Sequence, residues 1–289
     1  MYKVAEKSYA KINLALNVTK TRDDGYHELD MIMVPVKLHD TVQISDLKGK
    51  KDNFVVMDDF SVKLGHTNTA DTALRAVLRR VGYDKDDKFL VFIHKNIPVK
   101  AGLGGGSSNA AATMHAINKK LKLNLTKEEM LEMAEPIGSD VPFFVDPKPA
   151  RCKGRGEILE PITIKNDYYV VLVKPEEGCS TKQVYEDFDK DPDYNAADIE
   201  NIVKALEEGD DELLEKSMGN SLQKTAEKLV PEIINVIEIL KSKGLKMVMM
   251  TGSGSAVFGL SRDKKLIKKI ARELEEETNY FVEATEVIK

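Results

Sequence analysis

The chain has 289 residues, of which 42% are apolar and 31% charged, a composition typical of a packed core under a charged surface and not of a disordered chain. Lys and Arg total 43 and Asp and Glu total 48, so the formal net charge of −5 shows no basic excess that would indicate a nucleic-acid partner. Domains commonly span roughly 100–200 residues, so this length favours two domains.

Neither a membrane nor an oxidising compartment is indicated. Apolar runs such as Tyr168–Val173 are far shorter than the roughly 20 residues that a membrane helix needs, and the N-terminal segment lacks the apolar block of a secretory signal. Two cysteines, Cys152 and Cys179, are too few for a disulfide framework and lack the spacing of metal ligands. We therefore expect reduced thiols in a cytoplasmic protein with no membrane partner.

Strands and helices alternate in the first half of the chain. Asp23–Gly25 is typical of a turn, and Thr126 with Glu129 forms a capping-box pattern that opens a helix ending near Ile137–Gly138. Apolar residues at helical spacing follow Asn68 and stop at Gly82, which predicts a further helix. Strands are predicted over Ser8–Val18, Met31–Val36, Thr41–Ile44 and Phe89–His94, and one more helix over Asn109–Leu121.

The second half is also mixed, and its helices fall in blocks. Strands are predicted over Tyr168–Val173, Lys246–Met250, Ala256–Leu260 and Tyr280–Val287, helices over Ala196–Leu206, Glu212–Leu229, Glu232–Lys243 and Lys264–Glu276, and an exposed loop over Glu186–Tyr194. This order favours an α+β fold in two layers. The prolines around Asp146–Pro149 place a domain border there, giving domains 1–150 and 151–289, although Arg151–Leu159 could still return to the first sheet.

The most informative segment is a glycine-rich loop. Four glycines occur within Gly102–Gly106, two serines follow, and a helix is predicted directly afterwards. Glycine lets backbone amides approach an anion, and a helix N-terminus adds N–H donors and a partial positive charge. The pattern predicts a phosphate cradle; a flexible linker or tight helix packing is the alternative.

Known phosphate loops narrow the choice. The Walker A lysine is missing because Ser107 follows Gly106, and Ser107 also stands where the dinucleotide fingerprint needs its third glycine. The landmarks of protein kinases are absent. The run Pro98-Val-Lys-Ala-Gly102-Leu-Gly-Gly-Gly-Ser-Ser-Asn-Ala-Ala resembles instead the ATP loop of the GHMP kinase superfamily.

Three further segments resemble motifs of the same superfamily, in the same order. Ala10–Leu14 resembles the first motif, Gly138–Pro142 the segment with the catalytic aspartate, and Met250–Phe258 a second glycine loop that closes over the active site. Each segment alone has a simpler interpretation. Lys11 could be a surface lysine, Asp140 a turn residue, and Thr251–Ser255 a hairpin connection. Their joint occurrence favours the superfamily.

Asp24-Gly-Tyr-His27 resembles one branch of these kinases, which phosphorylates the 2-hydroxyl of a methylerythritol carrying a cytidine diphosphate, in the non-mevalonate route to isoprenoid precursors. In that branch Tyr185 would face the cytosine from the side opposite Tyr26. Two residues depart from the pattern of that branch. Tyr9 replaces the usual proline before the first motif, and Asp71 stands where an asparagine is usual. Because an ionised carboxylate has no hydrogen-bond donor, Asp71 puts the expected hydrogen bonds of the nucleotide pocket in doubt.

The resemblance implies a two-domain fold with the active site in the interdomain cleft, and ATP and Mg²⁺ as cofactors. Asp140 and Lys11 would be catalytic, with Lys11 keeping Asp140 ionised. The ATP-binding residues would be Lys95, Pro98, Gly102, Leu103, Gly104, Gly105, Gly106, Ser107 and Ser108. The substrate-binding residues would be Asn13, Tyr26, His27, Thr181 and Tyr185, and the closing loop Thr251, Gly252, Ser253 and Gly254. The metal ligands stay unknown.

Two other functions remain open. The chain could be a GHMP kinase for another small alcohol, which would have no use for Tyr26, His27 and Tyr185 together. It could also be a non-catalytic nucleotide-binding protein on the same fold, which should have lost Lys11 or Asp140. As an alternative, Tyr26 and Tyr185 could be tyrosines packed in a core. A monomer or a homodimer is expected.

Overall fold

A computed structural model describes residues 3–58, 68–85, 88–192 and 196–289. It divides into two compact units, which the chain enters alternately. The first unit comprises Met1–Ala10, His39–Ile97 and Gly104–Pro147, and the second comprises Lys11–Leu38, Pro98–Leu103 and Lys148–Lys289. The predicted border between domains 1–150 and 151–289 stays a prediction.

In chain order the strands and helices are β1 (Val4–Thr21), β2 (His27–Leu47), β3 (Phe54–Met57), α1 (Thr69–Arg80), β4 (Lys88–His94), α2 (Gly105–Leu121), α3 (Lys127–Ala134), α4 (Val141–Val145), β5 (Ala150–Gly154), β6 (Ile158–Pro161), β7 (Tyr169–Lys174), α5 (Thr181–Lys190), α6 (Ile199–Glu208), α7 (Asp211–Ser217), β8 (Gly219–Asn220), α8 (Gln223–Leu229), α9 (Glu232–Ser242), β9 (Met247–Met250), β10 (Val257–Ser261), α10 (Lys264–Glu277) and β11 (Phe281–Glu286). The mixture of helices and largely antiparallel strands confirms the predicted α+β class.

The first unit packs helices beside a short sheet. The end of β2 pairs antiparallel with β4, from Thr41 opposite His94 to Leu47 opposite Lys88, and β3 adds to β4 in parallel. Asn68 caps α1 by accepting a hydrogen bond from the backbone of Ala70. The buried stripe of α1 packs against α2, which is rich in alanine and therefore allows close approach.

The second unit contains a four-stranded antiparallel sheet in the order β11–β7–β10–β9. Strand β7 lies between β11 and β10, and its four apolar residues Val170–Val173 are all buried. Because successive side chains of a strand point to opposite faces, the sheet is covered on both faces at β7. In the same unit β5 pairs with the start of β2 from Leu29 to Met33, and β8 pairs in parallel with β1. The part of Arg151–Leu159 that forms β5 thus pairs with β2 rather than with the four-stranded sheet.

Several predicted boundaries were wrong. The helix predicted over Glu212–Leu229 is two helices, because the chain becomes extended at Gly219–Asn220 and pairs with β1. The exposed loop predicted over Glu186–Tyr194 is helical as far as Lys190, because Val184 and Phe188 form a buried pair one turn apart that the acidic composition obscured. Residues 193–194 of that loop lie outside the described residues.

Helix α2 begins at Gly105, four residues before the predicted start at Asn109. Helix α3 has the predicted capping box of Thr126 and Glu129 but ends at Ala134, two residues before Pro136, because proline has no N–H to continue the helical hydrogen bonds. Both cysteines are buried. In the part of the chain that the structure describes, no helix is both long and apolar enough to span a membrane.

Candidate active site

Lys11 and Asn13 lie side by side on β1, where both side chains are buried. The Lys11 ammonium donates a hydrogen bond to Asn13 Oδ1 over 2.5 Å, and the Asn13 backbone N–H donates to Thr251 Oγ1 over 2.9 Å. Residues two apart in a strand share a face, so β1 directs both side chains to the same place. The first and third motifs therefore meet within the second unit.

Thr251–Gly254, which we call the closing loop, connects β9 to β10. The predicted hairpin connection is therefore correct, but the loop also makes contacts beyond the hairpin. Thr181 Oγ1 and Ser253 Oγ share a hydrogen bond of 2.8 Å. The buried Asn220 amide donates to the carbonyl oxygens of Met250 and Gly252, at 3.0 and 2.9 Å, and so fixes both ends of the turn.

The start of the glycine-rich loop is fixed by the same strands. Lys11 donates its backbone N–H to the Leu103 carbonyl, and Ala256 donates to the Ala101 carbonyl. Gly102 has a φ of 74°, and a Cβ there would lie 2.1 Å from the Thr251 carbonyl oxygen. This segment is therefore not a flexible linker. Pro98 precedes the turn at Val99–Lys100 that leads into it.

The second part of the glycine-rich loop lies in the first unit and forms the first turn of α2. Gly104 occupies the N-cap position in the left-handed conformation and offers no side chain to cap the helix. The leading N–H groups of α2, at Gly105, Gly106 and Ser107, therefore have no intrahelical acceptor and can bind an anion. The Ser108 hydroxyl is buried and accepts a hydrogen bond from Ser8 Oγ over 2.8 Å.

Lys95 supplies positive charge near the same turn. Its ammonium pairs with the fully buried Asp40, whose other oxygen accepts backbone N–H groups of Asn96 and Ile97 at 2.7 and 2.8 Å. A Cβ at Gly105 would lie 3.5 Å from the Lys95 ammonium. The geometry thus brings Lys95 to the α2 N-terminus, where an anion would meet both.

Asp140 is the N-cap residue of the short helix α4, and its carboxylate does not cap that helix. A Cβ at the neighbouring Gly138 would lie 4.0 Å from Ser107 Oγ, so the turn that carries Asp140 lies close to the start of α2. A partly buried carboxylate near a helix N-terminus is suited to orient a hydroxyl group or to accept its proton. Its role, like that of the other site residues, stays a prediction.

Aromatic side chains gather at the start of β2 and on α5. The rings of His27 and Tyr185 lie 4.6 Å apart between centroids, and Asp189 accepts a hydrogen bond from His27 Nε2 over 2.8 Å. Tyr26 is 52% exposed and has the Arg155 guanidinium 5.1 Å from its ring centroid. Neither Tyr26 nor Tyr185 is a buried core residue, which removes that alternative.

Sequence reasoning missed Asp40, Arg155, Asp189 and Asn220. Asp189 lies four residues after Tyr185, a spacing that would have indicated a shared helix face if the segment had been predicted as a helix. Asp40 and Asn220 are buried polar residues, whose partners only the fold reveals. Asp71, which departs from the family pattern, pairs with Arg75 on α1 over 2.7 Å.

Cysteine chemistry plays no part at this site. Cys179 lies beside the closing loop, where a Cβ at Gly254 would come within 3.4 Å of its sulfur. Burial raises the pKa of the Cys179 thiol to about 11, so the thiol is protonated near neutral pH and is a poor nucleophile.

Among the described residues, no group of three or more His, Cys, Asp or Glu side chains is arranged to hold a metal ion.

Comparison with known proteins identifies the family of the chain. Residues 68–146 match the GHMP kinases N terminal domain, and residues 202–279 match the GHMP kinases C terminal family. A 4-diphosphocytidyl-2-C-methyl-D-erythritol kinase of Macrococcus caseolyticus is 35% identical over 271 residues, which cover 94% of this chain and 95% of that protein.

Solved structures show the same similarity. The crystal structure of a 4-(cytidine 5'-diphospho)-2C-methyl-D-erythritol kinase matches with a TM-score of 0.80 at 29% identity, over 99% of this chain and 100% of that one. A homoserine kinase from Cytophaga hutchinsonii shares the fold, with a TM-score of 0.75 at 16% identity over 99% and 94% of the two chains. The chain therefore belongs to the GHMP kinases, which are ATP-dependent kinases of small molecules, and within them to the 4-diphosphocytidyl-2-C-methyl-D-erythritol kinase family.

Proposed function

We propose that this kinase transfers the γ-phosphoryl group of ATP to the 2-hydroxyl of 4-diphosphocytidyl-2-C-methyl-D-erythritol in the cytoplasm, as a step toward isoprenoid precursors. The observation that carries the proposal is the ring pair of His27 and Tyr185, together with the exposed Tyr26 that directly precedes His27 in the chain. A kinase of a small alcohol without a base has no use for such a group. The names of the relatives support the same substrate.

The nucleotide phosphates bind at the first turn of α2. Unpaired N–H groups of Gly105, Gly106 and Ser107 face the anion, and the Lys95 ammonium adds charge beside them. Mg²⁺ usually binds through substrate phosphates and one or two protein oxygens. Among the residues that the structure describes, no cluster of acidic side chains is arranged to hold an ion, which fits a Mg²⁺ that arrives with ATP. The hydroxyl of Ser107 is the ligand that we propose for it, since the Ser108 hydroxyl is buried and bonded to Ser8.

Phosphoryl transfer needs mainly positioning and charge stabilisation. Asp140 accepts or orients the proton of the attacking hydroxyl, and Lys11 neutralises charge on the phosphoryl group in transfer. Asn13 Oδ1 holds the Lys11 ammonium, while the Asn13 amide group donates a hydrogen bond to the Met31 sulfur over 3.6 Å. The closing loop, tied to Asn13 through Thr251, excludes water from the reacting groups.

The cytidine end of the substrate binds at the aromatic residues. Stacking on Tyr26 or Tyr185 holds any base, at about 1–3 kcal/mol for each ring by alanine substitution. Selection of cytosine therefore requires hydrogen bonds to the edge of the base. His27, which is buried beside Tyr185, is the side chain available for them.

The proposal is tested by incubating the protein with ATP, Mg²⁺ and one alcohol at a time, while ADP release is followed. The panel comprises the cytidine substrate, its uridine counterpart, free methylerythritol, mevalonate and homoserine. We expect the cytidine substrate to give the highest kcat/KM and ³¹P NMR to locate the new phosphate on carbon 2. Faster turnover of homoserine or mevalonate would contradict the proposal, and ADP release without any acceptor would contradict a role as an alcohol kinase.

A further inference from the structure

Asp189 links three separate segments of the second unit at the proposed cytosine site. Its Oδ1 accepts a hydrogen bond from His27 Nε2 over 2.8 Å and another from Thr21 Oγ1 over 3.3 Å. Thr21 ends β1, His27 begins β2, and Asp189 lies in the last turn of α5. The carboxylate therefore joins the His27 imidazole to both the strand before it and the helix beside it.

Helix α5 presents two residues to the His27 ring. Tyr185 and Asp189 are four residues apart, so they lie on the same helix face one turn from each other. The Tyr185 ring lies 4.6 Å from the His27 ring between centroids, while Asp189 engages the ring edge at Nε2. The imidazole is only 8% exposed, so its orientation is fixed by these two contacts.

The hydrogen bond to Asp189 determines which imidazole nitrogen carries the proton. An ionised carboxylate can only accept, so Nε2 must be the donor. In a neutral imidazole the other nitrogen, Nδ1, is then an acceptor. A group that pairs with Nδ1 must therefore be a donor.

The need for a donor opposite Nδ1 distinguishes cytosine from uracil. Cytosine carries an amino donor on carbon 4, whereas uracil-type bases carry a carbonyl acceptor at that position. We propose that Asp189 is a positioning residue for base selection: it holds His27 in the Nε2–H form, so that Nδ1 accepts from the cytosine amino group and opposes the uracil carbonyl. This inference rests on the proposed function, since it presumes a cytidine-bearing substrate.

The kinetic test compares Asp189→Asn with Asp187→Asn, its matched control. Asp187 lies on the same helix and pairs with Lys190 on the surface, away from His27. We expect Asp189→Asn to lower kcat/KM for the cytidine substrate by about 10-fold, the equivalent of one hydrogen bond, because an amide can donate to Nε2 and move the proton to Nδ1. The cytidine-to-uridine preference should narrow by a similar factor, with the KM for ATP unchanged.

A spectroscopic test measures the proton position directly. The chain has five histidines, so the His27 signals are assigned in ¹⁵N-histidine-labelled protein by comparison with His27→Gln. At pH 8 we expect long-range ¹H–¹⁵N spectra to show the proton on Nε2 in the unmodified protein and a shift toward Nδ1 in Asp189→Asn. A merely structural role for Asp189 would leave the proton in place.

Three outcomes would overturn the inference. One is a proton on Nδ1, or on both nitrogens, in the unmodified protein. Another is an Asp189→Asn variant that loses activity while its preference for cytidine stays intact. The third is failure to use either nucleotide substrate, which refutes the proposed function itself, and the NMR result then reports separately whether Asp189 controls the His27 proton.

Discussion

At the scale of single residues, Asp140 tests the proposed chemistry most directly. Asp140→Asn keeps the shape of the side chain but removes its charge and its capacity to accept a proton. General base catalysis contributes typically about 10²–10⁴-fold, so we expect kcat to fall by that range with little change in the KM for ATP. Asp146→Asn is the matched control, because Asp146 pairs with Lys127 on the surface and should retain full turnover.

Lys11 extends the same test. We expect Lys11→Met to lower kcat as well, and Lys11→Met combined with Asp140→Asn to lose less than the product of the two single losses, since residues that act as a unit are not additive. Losses that multiply would instead mean that the two residues act independently. Near-full turnover of Asp140→Asn, when chemistry limits the rate, would remove Asp140 from the mechanism.

The sequence predicted which residues form the site, but it did not predict which residues they contact. Lys11, Asn13 and Thr251 come from separate motifs, and the structure joins them by hydrogen bonds. A motif specifies residue types at fixed spacing, whereas the partner of a buried polar group depends on the tertiary fold. For that reason Asp40 could not be found before the fold was known.

At the scale of elements, the glycine-rich loop and the closing loop are in van der Waals contact at Gly102. Gly102→Ala places a Cβ 2.1 Å from the Thr251 carbonyl oxygen, a backbone atom that cannot move without the closing loop. Gly49→Ala is the control: Gly49 has a similar φ of 70°, but a Cβ there meets nothing within 4 Å. Both variants incur the left-handed strain of about 1–2 kcal/mol.

The difference between these two variants therefore measures the contact between the loops. We expect Gly102→Ala to lose more stability than Gly49→Ala in urea unfolding and to lose kcat/KM for ATP by at least about 10-fold, because it displaces the loop start that leads into α2. Gly49→Ala should keep its kinetic constants. Equal stability and equal kinetics in the two variants would show that the closing loop tolerates displacement.

Asn220 supports the closing loop from the opposite side. Asn220→Ala removes two hydrogen bonds to the carbonyls of Met250 and Gly252, which leaves both buried acceptors short of a donor. Asn17→Ala is the control, because the Asn17 side chain also bonds backbone groups, with two hydrogen bonds at Ala197, whereas Asn220 makes a third with the Leu222 N–H. Each variant should lose about 1–3 kcal/mol of unfolding free energy.

Only Asn220→Ala should alter catalysis. We expect its kcat to fall several-fold, because the closing loop loses the support that holds Thr251 against Asn13. Steady-state kinetics of both variants, at a temperature where each is fully folded, provide the measurement. A fall of kcat in Asn17→Ala of the same size would attribute the effect to general destabilisation.

Element prediction failed where local composition and tertiary contacts disagreed. Helix α5 carries many charged residues and was predicted as a loop, yet Val184 and Phe188 bury one stripe of it. The break between α7 and α8 has no proline; it arises because Gly219–Asn220 pairs with β1, some 200 positions earlier in the chain. A local pattern cannot report such a distant partner.

At the scale of the whole molecule, composition and motif order predicted the α+β class and the family. The chain path was not predictable to the same degree, because β1 and β2 each pass from one compact unit to the other. A border drawn at one point of the sequence cannot describe that path. Oligomeric state depends on surface complementarity with another copy, and the expectation of a monomer or homodimer remains to be tested by light scattering.

Stability in alkaline solution is the last prediction. Burial raises the pKa of Cys179 to about 11, and burial together with Glu232 raises the pKa of Tyr280 to about 12. Above pH 9 the Cys179 thiol, and at higher pH the Tyr280 hydroxyl, lose their protons in the unfolded chain before they do so in the folded protein. The folded state then binds more protons than the unfolded chain, so its stability falls as pH rises. The Cys179 contribution is fully present below about pH 9 and is lost as pH rises through 11.

Comparison with Cys179→Ala isolates this contribution. Burial lowers the pKa of Lys174 and gives the opposite slope, so the difference between the two proteins is more informative than either curve alone. We expect that difference to change by about 1–3 kcal/mol between pH 8.5 and 11 in urea unfolding. Tyr280→Phe, the control, should change the curve only above about pH 10, because an unfolded tyrosine keeps its proton below that pH. A constant difference between the protein and Cys179→Ala across this range would mean that the thiol ionises as readily in the folded state as in the unfolded chain.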